Sequence, residues 1–302
     1  MTNERPPTID PQAAQRWAAQ LPQTSAWLHE EVARRMEQRL QWLVQKPTRW
    51  LHWEPLQGGL QAQQLLARRY PKSACYVLQQ QAPQQQELRQ RLDTAWWQPA
   101  HWTGPQLKFE APTEPVQMLW ANMALHMAAD PQALIARWHA ALEVQGFLMF
   151  SCFGPDTLLQ LRRLYAALGW PPPCHEFTDM HDWGDMLVHA GFEAPVMDME
   201  RITLSYSSPE TLLEELRGLG RNLHPQRFAG LRGRQWRARL QEALQRELQD
   251  PQQPGRLQLT FEIVYGHAFK SAPRHSVSAQ SVIPLADMRA ALAQGKGAGR
   301  TT

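Results

Sequence analysis

Short apolar runs alternate with amphipathic stretches along most of the 302 residues of this chain. Apolar runs of this length between turn residues are typical of buried strands, whereas apolar positions three or four apart are typical of helices. Buried strands are predicted at Trp50–Trp53, Ala74–Leu78, Val116–Trp120 and Gly146–Ser151, and a shorter strand at Leu107–Phe109. Strands and helices that alternate in this way predict a mostly parallel sheet with right-handed crossovers.

The helical stretches lie between these strands and after them. Pro131 stands at the first turn of one helix, and Ser208 followed by Pro209 predicts the start of another, because these residue types favour helix amino termini. The predicted helices are 26–44, 60–69, 84–92, 131–142, 156–168, 181–190, 209–219 and 235–248. Two later segments, 195–206 and 257–265, alternate apolar and polar residues and predict outer strands.

The two ends of the chain differ from its middle. Residues 1–24 are interpreted as an N-terminal arm and residues 25–270 as one folded domain. From residue 271 the periodicity is lost and the chain becomes rich in small and polar residues, which predicts a disordered tail over 271–302.

Composition and charge narrow the class of protein without naming it. A hydrophobic content of 43% and 13 tryptophans suit a large buried core, and a net charge of +3 with interspersed signs does not favour nucleic-acid binding. No apolar run reaches the roughly 20 residues that span a bilayer, and the start of the chain lacks a signal-like apolar stretch. Three cysteines without metal-binding spacing predict no metal site and favour a reducing cytoplasm.

The most informative segment is Trp50–Leu60, which reads WLHWEPLQGGL. An apolar strand runs into a turn that contains Gly58 and Gly59, and a helix and a second strand follow. Strand, turn, helix and strand is the opening unit of a doubly wound domain, which binds nucleotides at the carboxyl ends of its strands. Such sites usually need several glycines in the turn and an acidic residue after the second strand, yet here that strand ends in glutamines from Gln79.

Three blocks carry a resemblance to a known family. They read LWANMALH (119–126), FSCFGPDTL (150–158) and DMHDWGDML (179–187), the last continuing through AGF to PVMDME (195–200). With the order of the elements, they make the chain similar to class I S-adenosylmethionine-dependent methyltransferases. More narrowly, it resembles the malonyl-acyl-carrier-protein O-methyltransferases of biotin synthesis. The resemblance extends from about Ala13 to Lys270.

The resemblance implies a fold, a cofactor and a partner. The fold is a seven-stranded Rossmann-like α/β sheet whose last strand is antiparallel, with helical insertions after strands 5 and 6, here about 154–175 and 207–254. The cofactor is S-adenosylmethionine, and the partner is malonyl-loaded acyl carrier protein. The reaction is methyl transfer to the malonyl carboxylate, which the enzyme promotes mainly by positioning.

The resemblance also assigns site residues. Asn122 and His126 stand where the family places residues beside the transferred methyl group, and Phe153 stands where a residue lines the substrate pocket. A purely structural role, as caps and packing, is the alternative for all three. Arginines 201, 217, 221 and 227 either contact the malonyl carboxylate or the acidic carrier, or form a solvated face. Cofactor contacts fall on Glu54, Gln57, Gly58, Gly59, Gln79 and Glu110.

This chain departs from the family pattern at the cofactor turn. Aligned without gaps, the acidic residue that ends the first strand becomes His52, and the first two glycines become Glu54 and Leu56. Only Gly58 remains, and Pro55 removes a backbone N–H. A side chain at Leu56 fills space that the cofactor needs. These departures predict an impaired cofactor site.

The acidic residues that hold the rest of the nucleotide are also replaced. Gln79 stands in the place of the ribose-binding acid, and a neutral amide makes a weaker hydrogen bond than a carboxylate. Glu110 is the nearest acid for the adenine. Three functions stay open: an active carboxyl methyltransferase with a rearranged loop, an inactive paralogue that binds acyl carrier protein or another partner, and a pocket for a different ligand.

Overall fold

The computed structural model describes residues 9–20, 25–92 and 106–272. Within them the chain forms one sheet of seven strands in the order β3-β2-β1-β4-β5-β7-β6. Its strands are β1 (Arg49–Trp53), β2 (Ala74–Leu78), β3 (Gln106–Lys108), β4 (Val116–Ala121), β5 (Leu142–Phe153), β6 (Phe192–Tyr206) and β7 (Leu257–Lys270). The first five run parallel, and β7 is antiparallel to both neighbours. The predicted fold class is confirmed, including the antiparallel last strand.

Helices cover both faces of this sheet. They are α1 (Pro11–Ala18), α2 (Trp27–Arg39), α3 (Pro55–Gly58), α4 (Gln61–Arg69), α5 (Ala82–Leu92), α6 (Pro131–Ala141), α7 (Leu159–Ala167), α8 (Met180–His189), α9 (Pro209–Leu219) and α10 (Arg234–Glu247), with short 3₁₀ turns at Leu40–Trp42 and Leu125–Met127. Helix α9 begins where Ser208 and Pro209 predict it, and Ser208 and Thr211 form a reciprocal capping box there. No described helix is long and apolar enough to cross a membrane.

The strand order places the site. The chain moves outward from β1 to β2 and β3, then returns to the other side of β1 with β4 and continues outward. The loops after β1 and β4 therefore diverge to opposite faces, and this leaves a crevice beyond the carboxyl ends of these strands. Two apolar cores, one on each face, hold the central strands, which are almost fully buried.

Several elements differ in detail from their sequence prediction. The turn after β1 is a full helical turn, α3, and the arm contains the helix α1. Strand β5 begins earlier than its apolar run, where Leu142 pairs with Val116 of β4, and β7 continues to Lys270, which pairs with Phe192 of β6. Helix α7 begins at Leu159, three residues late, because Asp156 and Thr157 instead bond Glu262 of β7.

Some predictions fall outside the described part of the chain. The predicted tail lies outside the described residues except for Ser271 and Ala272, and the predicted arm does so at residues 1–8 and 21–24.

The segments after β5 and after β6 pack on each other through aromatic rings. Tyr165 and Trp170 of the first contact Trp236 of the second, with ring centres 6.5 and 5.0 Å apart. Phe228 adds an edge contact to Trp236, and Arg232 lies over both rings. This group, called the lid aromatic cluster below, joins the two insertions into one cover.

Candidate functional site

The exit of β1 is shaped by Glu54, whose backbone is left-handed with φ of 48°. Its N–H donates to the Leu78 carbonyl oxygen at 2.8 Å, which ties the end of β1 to the end of β2. Pro55 then begins α3, where its fixed φ and its missing N–H suit the first position of a helix. The sequence therefore builds a compact helical turn where a glycine-rich loop is expected.

Leu56 lies inside this turn and is only 1% exposed. It belongs to the main apolar core together with Leu28 and Val77. An isobutyl group thus occupies the inner side of the turn, where the resemblance places a glycine.

Four glutamines fill the crevice between the ends of β1 and β2. Gln79 donates from Nε2 to Oε1 of Gln57 at 3.1 Å, and Gln57 donates from Nε2 to Oε1 of Gln84 at 3.2 Å. The backbone N–H of Gln79 donates to Oε1 of Gln85 at 2.6 Å. Gln84 donates onward to the carbonyl oxygens of Ala18 and Gln20 in the arm. This set, called the glutamine network below, links the ends of β1 and β2 to α5 and the arm.

The Glu54 carboxylate points to Gln80, which donates from Nε2 at 2.8 Å, and Arg137 donates to the Gln80 amide oxygen at 2.7 Å. Burial raises the pKa of Glu54, while its hydrogen bonds to Gln80 act in the opposite direction. Glu54 is therefore already held within the protein.

Asn122 joins three segments at the end of β4. Its Nδ2 donates to the carbonyl oxygens of His29, at 2.8 Å, and of Gly58, while its Oδ1 accepts from the Ser151 hydroxyl at 2.6 Å. A Cβ on Gly58 would lie 2.5 Å from the Asn122 carbonyl oxygen. Asn122 is 1% exposed, so these bonds define a structural junction.

Gly59 and Glu30 complete the turn. Gly59 has φ of 113°, and a Cβ there would lie 2.9 Å from Oε2 of Glu30. Glu30 accepts from the N–H groups of Leu60 and Gln61 at 2.8 and 3.0 Å. A carboxylate that accepts from the free N–H groups at the start of α4 interacts favourably with the positive end of the helix dipole. The protein's own carboxylate thus occupies a helix terminus that can otherwise bind an anion.

The second half of the crevice lies beyond β4 and β5 and contains an apolar cavity of about 100 Å³. Its walls include His126 and Phe153 from the sheet side, His175 and Phe177 from the segment after β5, and Leu216 of α9. The rings of His126 and Phe153 are 4.5 Å apart, and Phe177 packs against both. The sequence-predicted residues His126 and Phe153 therefore meet at one wall of this cavity.

The histidines near the cavity are neutral and have fixed tautomers. His175 donates from Nε2 to the His126 carbonyl oxygen at 2.9 Å, and His29 donates from Nδ1 to the Gln57 carbonyl oxygen at 2.7 Å. His126 accepts from the Phe153 N–H through Nδ1. Burial lowers the pKa of His29 and His175 to about 4 and holds that of His126 well below its usual value.

The structure gathers most of the sequence-predicted site residues but not all of them. Gln57 bonds Gln79, and Gly58 bonds Asn122, whereas Glu110 lies exposed beyond the edge strand β3. Residues that the sequence analysis missed include Gln84, His29, Glu30 and His175. Gln84 lies in a glutamine-rich stretch that is visible in the sequence. His29 and Glu30 are polar residues in the first turn of the amphipathic helix α2.

In this structure the residues around the predicted S-adenosylmethionine turn bond or pack against other parts of the protein. Leu56 fills the inner side of the turn, Glu54 and Gln79 are engaged by other glutamines, and Glu30 occupies the start of α4. His52, at the place of the acid that ends the first strand, is buried and bonds Gln63 at 2.9 Å. Burial lowers its pKa to about 4, so it is neutral. Among the described residues, no cluster of side chains suits a metal ion.

The strand order and the crevice at β1 and β4 define the class I methyltransferase fold. A protein of Bacillus halodurans, described as a candidate methyltransferase, superposes with a TM-score of 0.51 over 80% of this chain and 100% of its own, at 13% identity. The YcgJ protein of Bacillus subtilis gives a TM-score of 0.51 over 80% of this chain and 99% of its own, at 11% identity. These similarities concern the fold alone.

Sequence relatives are more specific. The malonyl-[acyl-carrier protein] O-methyltransferase of Gallionella capsiferriformans is 36% identical over 273 residues, 86% of this chain and 89% of that protein. The enzyme of the same name from Halorhodospira halophila is 32% identical over 246 residues, 81% of each chain. That from Laribacter hongkongensis is 43% identical over 160 residues, 53% of this chain and 52% of its own. No protein-family model matches the chain. The chain belongs to the malonyl-[acyl-carrier protein] O-methyltransferase family.

Proposed function

We propose that this protein recognises an acyl carrier protein that bears a short acyl group, and that its cofactor site is impaired, so that it binds without methylating. The observation that carries this proposal is the glutamine network together with the buried Leu56. The structure also contains an apolar cavity beyond β4 and β5, next to the occupied turn.

The loss of cofactor contacts has a large energetic effect. A hydrogen bond to a charged group contributes about 1.5–3 kcal/mol. Since each 1.4 kcal/mol is about a tenfold change in affinity, two or three lost contacts together with the volume of Leu56 weaken S-adenosylmethionine by several powers of ten. A typical micromolar affinity would fall out of the useful range.

The positive charge of one segment supports the proposed binding of an acyl carrier protein. Between residues 216 and 241 the chain carries no aspartate or glutamate, but it carries Arg217, Arg221, Arg227, Arg232, Arg234, Arg237 and Arg239. Arg217 and Arg221 are exposed, and Arg221 borders the cavity. Arg227 instead pairs with Asp10 of the arm at 2.8 Å, and Arg201 pairs with Asp156. An arginine-rich surface beside the cavity suits an acidic carrier in the cytoplasm.

A second candidate function is an active carboxyl methyltransferase of biotin synthesis. One specific observation favours it. Glu54 places a carboxylate directly after β1, where an acid can replace the one lost at His52. This function requires that Gln80 releases Glu54 and that the glutamine network opens.

Calorimetric titration of the purified protein separates the two functions. With S-adenosylmethionine at high micromolar concentration we expect no binding heat, whereas the Gallionella relative, titrated in parallel, serves as the positive control. Binding with a micromolar Kd, or rescue of a biotin-requiring strain that lacks this enzyme, would establish the second function instead.

The carrier half is tested by titration with acyl carrier protein at low and high salt. We expect binding that weakens with salt, because exposed charges are screened. Replacing both Arg217 and Arg221 by Glu should weaken binding at least tenfold, whereas Arg68→Glu, a similarly exposed arginine on α4, should leave it unchanged. If the double variant binds the carrier as tightly as the wild type, this surface does not dock it.

A further inference from the structure

The described part of the N-terminal arm, residues 9–20, lies against the arginine-rich segment. The backbone N–H of Asp10 donates to the Leu223 carbonyl oxygen at 2.8 Å, and the Asp10 carboxylate pairs with Arg227 at 2.8 Å. Further along the arm, the ring centre of Trp17 lies 5.3 Å from the Arg221 guanidinium. The arm therefore contacts two arginines of this segment, one of them through a carboxylate.

The arm also covers an apolar side chain of the same segment. Leu223 is fully buried in a small apolar cluster that is separate from the two main cores. Most other members of this cluster, including Ile9, Ala14 and Trp17, belong to the arm. Release of the arm would therefore expose a leucine beside arginines. An apolar centre with a polar rim is the usual anatomy of a protein–protein interface.

The contacts that hold the arm are few. Helix α1 has eight residues, and a helix of this length is marginal in water without tertiary contacts. The ion pair between Asp10 and Arg227 is partly exposed, and such pairs contribute little. At the other end, Gln84 donates to the carbonyl oxygens of Ala18 and Gln20 at 2.6 and 2.7 Å. A segment with so few buried contacts opens at a lower free energy than the sheet, so a partner that binds the same surface can displace it.

We propose that the surface beneath the arm, formed by Arg221, Leu223 and Arg227, is a docking site for the acidic acyl carrier, and that the arm occupies it when no carrier is bound. This inference rests on the proposed function, because it names a surface that the carrier uses. Asp10 acts as an internal substitute for a carboxylate of the carrier and pairs with Arg227 until the carrier displaces it. The closed arm lowers the apparent affinity for the carrier, because only the released fraction of the protein can bind.

Neutralising the two members of the ion pair one at a time tests the proposal, with holo-acyl carrier protein as the probe in calorimetric titrations at low salt. Asp10→Asn should tighten binding about two- to fivefold, because the arm loses an ion pair while asparagine can still cap α1. Arg227→Gln should weaken binding about threefold or more, because the carrier loses the same contact, and Arg227→Lys should restore most of the affinity. Asp130→Asn, at the capping position of α6, is the matched control and should leave binding unchanged.

The other end of the arm provides a second pair of variants. Gln84→Glu keeps an acceptor for Gln57 but removes both donors to the arm, so it should tighten carrier binding about tenfold. Gln86→Glu makes the same change of charge at an exposed position of α5 and should not alter binding.

Hydrogen exchange of the α1 amides, followed by mass spectrometry, reports the arm directly. Added carrier should speed their exchange in the wild-type protein, and slower exchange would overturn the inference because the carrier would then bind without displacing the arm. Effects of Asp10→Asn and Arg227→Gln in the same direction would also overturn it and leave the carrier function intact. If the wild-type protein does not bind the carrier at all, the proposed function fails and this inference fails with it.

Discussion

At the scale of single residues, the site depends on a close contact between two loops. Gly58 at the end of α3 presses against the backbone of Asn122 after β4, and Asn122 in turn bonds the Gly58 carbonyl oxygen. The same glycine would let a backbone approach a nucleotide in a working cofactor turn. In this protein its lack of a side chain serves protein packing instead.

The substitution Gly58→Ala tests this role. A Cβ at 2.5 Å from the Asn122 carbonyl oxygen forces one loop to move, and overpacking of this kind costs about 1–3 kcal/mol of the free energy of unfolding. Urea denaturation measures the loss. Gly218→Ala is the matched control, because a Cβ there meets nothing within 4 Å and Gly218 lies inside α9. It should stabilise by about 0.5–1 kcal/mol. Equal effects of the two substitutions would show that the contact is not tight.

At the scale of elements, two insertions and the arm form the cover of the crevice. The lid aromatic cluster joins the insertions, and Asp10 of the arm bonds the second insertion through the Leu223 carbonyl oxygen and Arg227. Gln84 of α5 holds the other end of the arm. The arm therefore spans from the lid to the glutamine network, so the cover and the filled cofactor turn support each other.

Removal of the central ring of the lid aromatic cluster should loosen the cover without unfolding the sheet. We expect Trp236→Ala to cost about 2 kcal/mol, less than the roughly 3–5 kcal/mol of a fully buried tryptophan, because Trp236 is half-buried. Limited proteolysis should cut first within residues 207–254. Trp42→Ala, at a tryptophan that is 78% exposed, should leave the digestion pattern unchanged. Cleavage that begins in the sheet strands would argue against a separate cover.

At the scale of the whole molecule, buried neutral histidines make stability depend on pH. Burial lowers the pKa of His29, His52 and His175 from 6.5 to about 4. The unfolded chain therefore takes up protons below about pH 6.5, whereas the folded chain does so only near pH 4. The free energy of unfolding must fall as the pH drops through this window. Burial raises the pKa of Glu54 and Glu215, which opposes the trend where those carboxyls titrate.

The size of the effect follows from the number of histidines. Each contributes about 1.4 kcal/mol per pH unit, so these three and His126, whose pKa burial also lowers, contribute on the order of 5 kcal/mol per unit between pH 6 and 5. Urea unfolding at pH 7.5, 6 and 5 should show this decline. His175→Asn should make the decline shallower, whereas His189→Asn, at an exposed position on α8, should leave its slope unchanged. A free energy of unfolding that stays constant from pH 7.5 to 5 would mean that these rings are not buried and neutral.

The sequence by itself determined the strands, most helices and the class of fold. Each strand is marked by an apolar run within its own segment of the chain. The runs at Ala74–Leu78 and Val116–Trp120 therefore match the observed strands within one residue. The departures from the family pattern in the cofactor turn were also visible, because they are the residue types at positions 52, 54 and 56.

Only the tertiary structure decided what replaced the lost contacts. Gln57, Gln79 and Gln84 meet because β1 and β2 pair in parallel and end at the same edge. His29 reaches Gln57 because α2 packs over that edge. Contacts between residues this far apart in the chain depend on how the elements assemble, and the periodicity within one segment has no information about its partners in another.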